Sequence, residues 1–166
     1  GVVDDDGTVF YPNDILALLL DYLAETRGWR GGSVCRSVAT THLLDRVARH
    51  HNLSVIAPPV GFKHVGELLS VGKIVFGGEE SGGLTLQGHL PEKDGIAACL
   101  LVAEMVAGRG ASLREMLAAL FAKVGPLYNK RRDFEFPAED LQGLRGRLAA
   151  VAGRLADRRI EDIVRT

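Results

Sequence analysis

A chain of 166 residues with 46% hydrophobic content is long enough to bury a core in one domain, or in one domain and part of another. Its 20 basic and 21 acidic residues nearly cancel, so there is no broad basic footprint for nucleic acid or an anionic membrane, and a charged ligand has to be met locally. The longest apolar stretches, such as Ile96 to Val102, are too short to span a bilayer, no leader pattern opens the chain, and two cysteines are too few for a disulfide framework; the expectation is a cytoplasmic protein with buried free thiols at Cys35 and Cys99.

Val2-Val3 and Thr8-Val9-Phe10 flank Asp4-Asp5-Asp6-Gly7, and an Asp-Gly pair between short β-prone runs predicts a hairpin. Pro12-Asn13 opens an apolar segment from Ile15 to Leu23, which predicts a well-buried helix ending near Gly28. Ser33 to Val38 reads as a strand. Thr40 or Thr41 is placed to cap the next helix, with Leu43, Leu44, Val47 and Ala48 on one face. Leu53 to Ala57 is a second strand, stopped by Pro58-Pro59; Phe62 to Val71 suits a short helix, and Lys73 to Phe76 a third strand. Asp94 to Ala107 is apolar on nearly every side and reads as the most buried helix, pressed between a sheet and a neighbour. Ser112-Leu113-Arg114-Glu115 is a capping box, opening a helix with Met116, Leu117, Leu120 and Phe121 on its inner stripe.

Alternation of strands and helices over residues 1–125 predicts an α/β domain with a mostly parallel sheet. The texture changes over 126–166. Lys130-Arg131-Arg132 leads to a strand through Phe134 and Phe136, and Pro137 begins an amphipathic helix with Leu141, Leu144, Leu148, Val151 and Leu155 at helical spacing. One strand and one helix cannot close a core, so this tail reads as the beginning of a second, incomplete domain.

Ligands of open α/β sheets bind at the carboxyl ends of the strands. The stretch Gly77 to Gly83, GGEESGG, stands there, with glycines that free the backbone and Glu79, Glu80 and Ser81 as hydrogen-bonding groups. A carboxylate is a poor partner for phosphate and a good one for vicinal hydroxyls; the plainer alternative is a glycine-rich turn with solvated glutamates. Lys63, in Pro59-Val60-Gly61-Phe62-Lys63-His64, either meets an anion or is a surface lysine at a helix start. Leu90-Pro91-Glu92-Lys93-Asp94-Gly95 opens a helix whose N–H groups favour an anion, unless it is an ordinary start capped by Asp94. Arg36 is a charge on an apolar strand, placed at an exposed end or paired in a site. Asp4 to Asp6 reads as a turn rather than a divalent-cation site, and the five histidines lack metal spacing. Neither a dinucleotide or phosphate-loop glycine motif nor a nucleophile elbow is present.

GGEESGG followed by PEKDGI, and preceded by PVGFKHVGELL and RSVATTHLLDRVA, resembles the third domain of the α-D-phosphohexomutases, the phosphoglucomutase and phosphomannomutase family. The match runs in order over about residues 1 to 125, and the tail resembles the first strand and helix of the family's fourth domain. The resemblance implies a three-layer α/β/α sandwich with a mixed sheet. It implies a protein that interconverts hexose 1-phosphate and hexose 6-phosphate through a phosphoserine and a bisphosphate intermediate, assisted by Mg2+ on an Asp-x-Asp-x-Asp-Arg loop. In this chain it assigns Glu79 and Ser81, with Gly78 and Gly82, to the sugar hydroxyls, and Gly61 and Val60 to the same cleft wall; relatives often carry threonine where Val60 stands. Lys93 falls near the transferring phosphate, as does Arg36, whose role is less defined. The serine nucleophile and the magnesium ligands are expected upstream of Gly1, so the chain holds no catalytic or metal residue by this reading and is expected to be inactive by itself. Its partners would be a glucose or mannose phosphate and the remaining domains of the same polypeptide, with neither nucleic acid nor membrane. The alternatives are a free-standing α/β binding module for a small phosphorylated ligand, or a fragment of a phosphoglucosamine mutase.

Overall fold

The computed structural model describes residues 1–129 together with Pro137, Gly143, Leu144, Gly146 and Arg147. The chain divides into two units, Gly1–Asn129 and Lys130–Thr166. The strand expected through Phe134 and Phe136 lies outside the described residues, as does most of the helix expected from Pro137, of which Gly143, Leu144, Gly146 and Arg147 are helical.

In the first unit, β1 (Val2–Val3) and β2 (Val9–Phe10) form the expected hairpin, with Val2 opposite Phe10. Its Asp4 carboxylate accepts from the backbone N–H groups of Leu113 (3.2 Å) and Arg114 (3.1 Å), so the turn docks on a helix start over a hundred residues away. Helix α1 (Pro12–Thr26) begins with proline in its first turn, where no N–H is needed. After β3 (Ser33–Arg36) come α2 (Leu43–His50), β4 (Ser54–Ile56), α3 (Phe62–Ser70), β5 (Phe76–Gly78), β6 (Leu84–Leu86), α4 (Gly95–Arg109) and α5 (Leu113–Val124). The sheet order is β4-β3-β5-β6, parallel except for β6, which returns antiparallel to β5. Among the described residues no single helix is long and apolar enough to cross a membrane.

Two cores flank this sheet, as successive residues of a strand face opposite ways. Val34 and Phe76 join the larger core under α1, α2, α4 and α5, whereas Cys35 joins Phe62, Val65 and Ile74 under α3. The result is the α/β/α sandwich expected from the sequence. Where Lys73 to Phe76 was the expected third strand, pairing begins at Phe76 and runs into the glycines. A Cβ on Gly77 would stand 2.3 Å from Val65 Cγ1 and one on Gly78 2.6 Å from Leu16 Cδ2. These glycines let α3 and α1 close on the two faces of a central strand, and only Gly82 of the four takes a positive φ, at 94°.

Two expectations about burial are corrected. Helix α1 is the buried one, with every residue from Ile15 to Ala24 inside, because α2, α4, α5 and the sheet surround it. Helix α4 buries only Leu101, Val102 and Met105, and leaves Ile96 76% and Leu100 66% exposed. Hydrophobicity measures what a helix can bury, not what covers it in this unit. Cys99 lies on that outer face and is exposed; Cys35 is buried as expected, and burial pushes its thiol up to about 11.

Caps follow the sequence closely. Asp94 Oδ1 accepts from Ile96 N (2.8 Å) and Ala97 N (3.0 Å), and Ser112 with Glu115 forms the full capping box of α5. Of the two threonines before α2, Thr41 accepts from Leu43 N at 3.0 Å, and Thr40 turns elsewhere.

Candidate functional site

The loops that follow β3, β4 and β5 meet at the carboxyl end of the sheet, and the turn between β5 and β6 is their centre. Glu79 N–H donates to Gly83 C=O (2.9 Å) and Gly82 N–H to Glu79 C=O (2.8 Å), which closes a tight turn with Ser81 exposed at its tip. A Cβ on Gly83 would come within 3.3 Å of both Lys93 Cβ and the Phe62 ring, so the turn is packed between the segment before α4 and the start of α3. Gly82 rests against Pro12 at the start of α1.

Consecutive glutamates of this turn point to different neighbours. Glu79 is only 6% exposed, and its Oε1 accepts from Gly61 N–H at 2.7 Å. Gly61 precedes α3 with φ 137°, a conformation that favours glycine and that aims its N–H at the carboxylate. Glu80 turns toward the end of β3, where its Oε2 accepts from Ser37 Oγ (3.0 Å) and Thr40 Oγ1 (3.2 Å). Its own N–H donates to Thr40 Oγ1 at 3.1 Å. Among the described residues neither glutamate forms an ion pair.

The structure therefore brings Glu79, Ser81, Gly82, Gly61 and Lys93 to one place. Gly78 is buried in β5 against Leu16, Val60 is 55% exposed beside Gly61, and Lys63 is exposed on α3. Arg36 is the paired alternative: 5% exposed, it binds Asp45 through Nε (2.5 Å) and Nη2 (2.8 Å), and its Nη1 donates to Ser37 C=O at 3.2 Å. Burial alone would raise the Asp45 carboxyl, but hydrogen bonds from Arg36 and His42 outweigh it and hold the carboxyl below its ordinary value. Arg36 is thus engaged within the domain, and Lys93 is the exposed cation beside the turn.

Ser37, Thr40 and Asp45 were not read as site residues from sequence. The signal was a polar run, Arg36-Ser37-Val38-Ala39-Thr40-Thr41, at the carboxyl end of a strand. A groove of about 370 Å³ between β4 and α3, lined by Ile56, Pro58, His64, Glu67, Leu68, Val71 and Lys73, includes no residue of the turn. The turn is an open wall. Ser81 offers an exposed hydroxyl, Glu79 a nearly buried carboxylate whose Oε1 is held by Gly61 N–H, and Lys93 beside the turn an ammonium for an anion.

The family model described as phosphoglucomutase/phosphomannomutase, alpha/beta/alpha domain III, matches residues 11–124. This chain belongs to that family. Within it, the chain is similar to a phosphoglucomutase of Rhizobium radiobacter, 33% identical over 154 residues that cover 89% of this chain and 28% of the relative. A phosphoglucosamine mutase of Campylobacter curvus is 28% identical, over 87% of this chain and 32% of the relative. Among solved structures, one from Thermus thermophilus titled a phosphomannomutase superposes with a TM-score of 0.69 at 39% identity, over 75% of this chain and 28% of that one. The chain thus spans about a third or less of the length of these relatives.

Proposed function

We propose that this chain is the sugar-recognition domain of a phosphohexomutase, a cytoplasmic enzyme that interconverts hexose 1-phosphate and hexose 6-phosphate. The observation that carries the reading is the β5–β6 turn, which presents Ser81 at an exposed tip two residues from the nearly buried Glu79 and packs at Gly83 against the exposed Lys93. A carboxylate with one oxygen held by Gly61 N–H keeps lone pairs for neighbouring sugar hydroxyls, and Ser81 can give or accept a hydrogen bond. Such groups serve a ring bound in either of two flipped orientations, as exchange of phosphate between its ends requires. Lys93 offsets charge on the transferring phosphoryl group. The phosphoryl-carrying serine and the Mg2+ ligands belong to other parts of the whole protein. The acidic groupings described here are already engaged: Asp21 and Glu25 hold Lys123, and Asp4 caps α5. An open wall needs further walls to enclose a substrate, which agrees with a role shared among domains.

The test is an assay of the whole protein with glucose 1-phosphate, mannose 1-phosphate and glucosamine 1-phosphate in the presence of magnesium, beside the 166-residue chain by itself. Turnover is expected from the first and none from the second; measurable turnover by the purified chain would sink the division of labour. The glucosamine substrate decides a second reading, as a phosphoglucosamine mutase, which the Campylobacter relative favours.

A further inference from the structure

We propose that Ser37 and Thr40 are positioning residues: two buried hydroxyls at the end of β3 that clamp Glu80 and thereby fix the turn presenting Glu79 and Ser81. This inference rests on the proposed role of that turn in sugar recognition.

Both hydroxyl residues are inside the protein, at 1% and 2% exposure, and they stand 2.8 Å apart. Together they hold one residue twice. Ser37 Oγ–H and Thr40 Oγ1–H reach the Glu80 carboxylate, while Thr40 Oγ1 accepts the Glu80 backbone N–H. Binding side chain and main chain of the same residue fixes both its rotamer and its φ/ψ, which binding the side chain alone does not. The base of the clamp is itself fixed, because Thr40 N–H donates to Ser37 C=O at 3.0 Å, and that carbonyl also accepts from Arg36 Nη1, whose partner is Asp45.

Capping of α2 does not explain these contacts. The hydroxyl that accepts an N–H at the start of α2 is that of Thr41, from Leu43, whereas the bonds of Thr40 cross 40 residues of sequence to another loop. Nor does charge pairing explain them, since a solvated glutamate at a turn costs nothing and needs no buried hydroxyls. What the clamp accomplishes is geometric. Glu79 is tied to the β4–α3 loop through Gly61, and Glu80 to the β3–α2 loop, so the turn is held from both sides and Ser81 is left free at the tip.

Two measurements test this. Amide hydrogen exchange on the 166-residue chain should show the Glu80 and Gly82 amides opening ~10-fold faster in Thr40→Val, as loss of a hydrogen bond to a charged or buried group implies, with α1 amides unchanged. Thr40→Ser, which keeps the hydroxyl, should restore the wild-type rate. In the whole protein Thr40→Val should raise KM for glucose 1-phosphate by ~10-fold with a smaller change in kcat, again rescued by serine. The proposal is overturned by unchanged exchange at Glu80 and Gly82, by α1 amides accelerating in parallel, or by faster exchange with wild-type KM. A wild-type whole protein that turns over no hexose phosphate would sink the proposed function instead, and the exchange measurement would still decide the clamp.

Discussion

Two clusters of carboxylates in this domain are satisfied by different kinds of partner. On the far half of α1, Asp21 is buried and meets His51 Nε2 at 2.8 Å and Lys123 Nζ at 2.9 Å; Lys123 also binds Glu25 at 2.8 Å, and Arg109 completes the group on Glu25. Arg109 lies over the Tyr22 ring, 5.6 Å from its centroid, and Tyr22 OH donates to Glu104. Every carboxylate there faces a cation, and the cluster ties α1 to α2, α4 and α5. At the β5–β6 turn, Glu79 and Glu80 are held by one N–H and two hydroxyls. Neutral donors fix a carboxylate in place and leave its charge for a ligand, whereas cations consume it. The first arrangement holds the fold; the second is suited to recognition.

Breaking the first cluster should give the largest effect on stability. Lys123→Met removes the cation shared by Asp21 and Glu25 and leaves a nearly buried carboxylate with His51 alone, for an expected loss of about 2–3 kcal/mol, less than for a wholly buried pair because Lys123 is partly exposed. Urea unfolding of the 166-residue chain measures it. Glu80→Gln, which keeps an acceptor for the hydroxyls, should cost less than about 1 kcal/mol in the same experiment. Equal losses in the two variants would erase the distinction between the clusters.

Function should respond the other way. In the whole protein, Glu79→Gln or Ser81→Ala is expected to lower glucose 1-phosphate turnover at least ~10-fold, the cost of one hydrogen bond to a charged or buried partner, with the unfolding midpoint unmoved. Wild-type kinetics in both variants would remove the turn from substrate recognition.

Much of this division was legible in the residues. The hairpin at Asp4 to Gly7, the cap at Asp94 and the box at Ser112 are local, decided within four residues by side chains that bond their own backbone. The turn itself was marked by composition at a strand end. What escaped was set by distant neighbours. Gly77 and Gly78 look like loop glycines, and only the approach of Val65 and Leu16 reveals them as strand. Leu84–Leu86 is too short to announce a strand without β5 beside it. Glu79 and Glu80 are identical in sequence terms, and their opposite attachments depend on loops 18 and 40 residues away. Asp21, the one acid in the buried run from Ile15 to Ala24, was the visible trace of the charged cluster, because a buried charge needs partners.

Acid should separate the clusters further, with a smaller effect than the substitutions. Burial by itself would raise the Glu25 carboxyl, but the hydrogen bonds and charges of Lys123 and Arg109 outweigh it and lower it from 4.5 to about 2. Because its folded value lies below its unfolded one, this contribution is fully present above about pH 4.5 and is lost as pH falls toward about 2. Glu25 is about a third exposed, so solvent screening keeps the change modest. Urea midpoints at neutral pH and at several points below pH 4.5 should therefore fall more steeply for the wild type than for Lys123→Met, which has already lost the ammonium that holds Glu25 down. Parallel acid limbs for the two proteins would mean that Lys123 does not govern this titration, and the cation-paired cluster would have to be redrawn around Arg109.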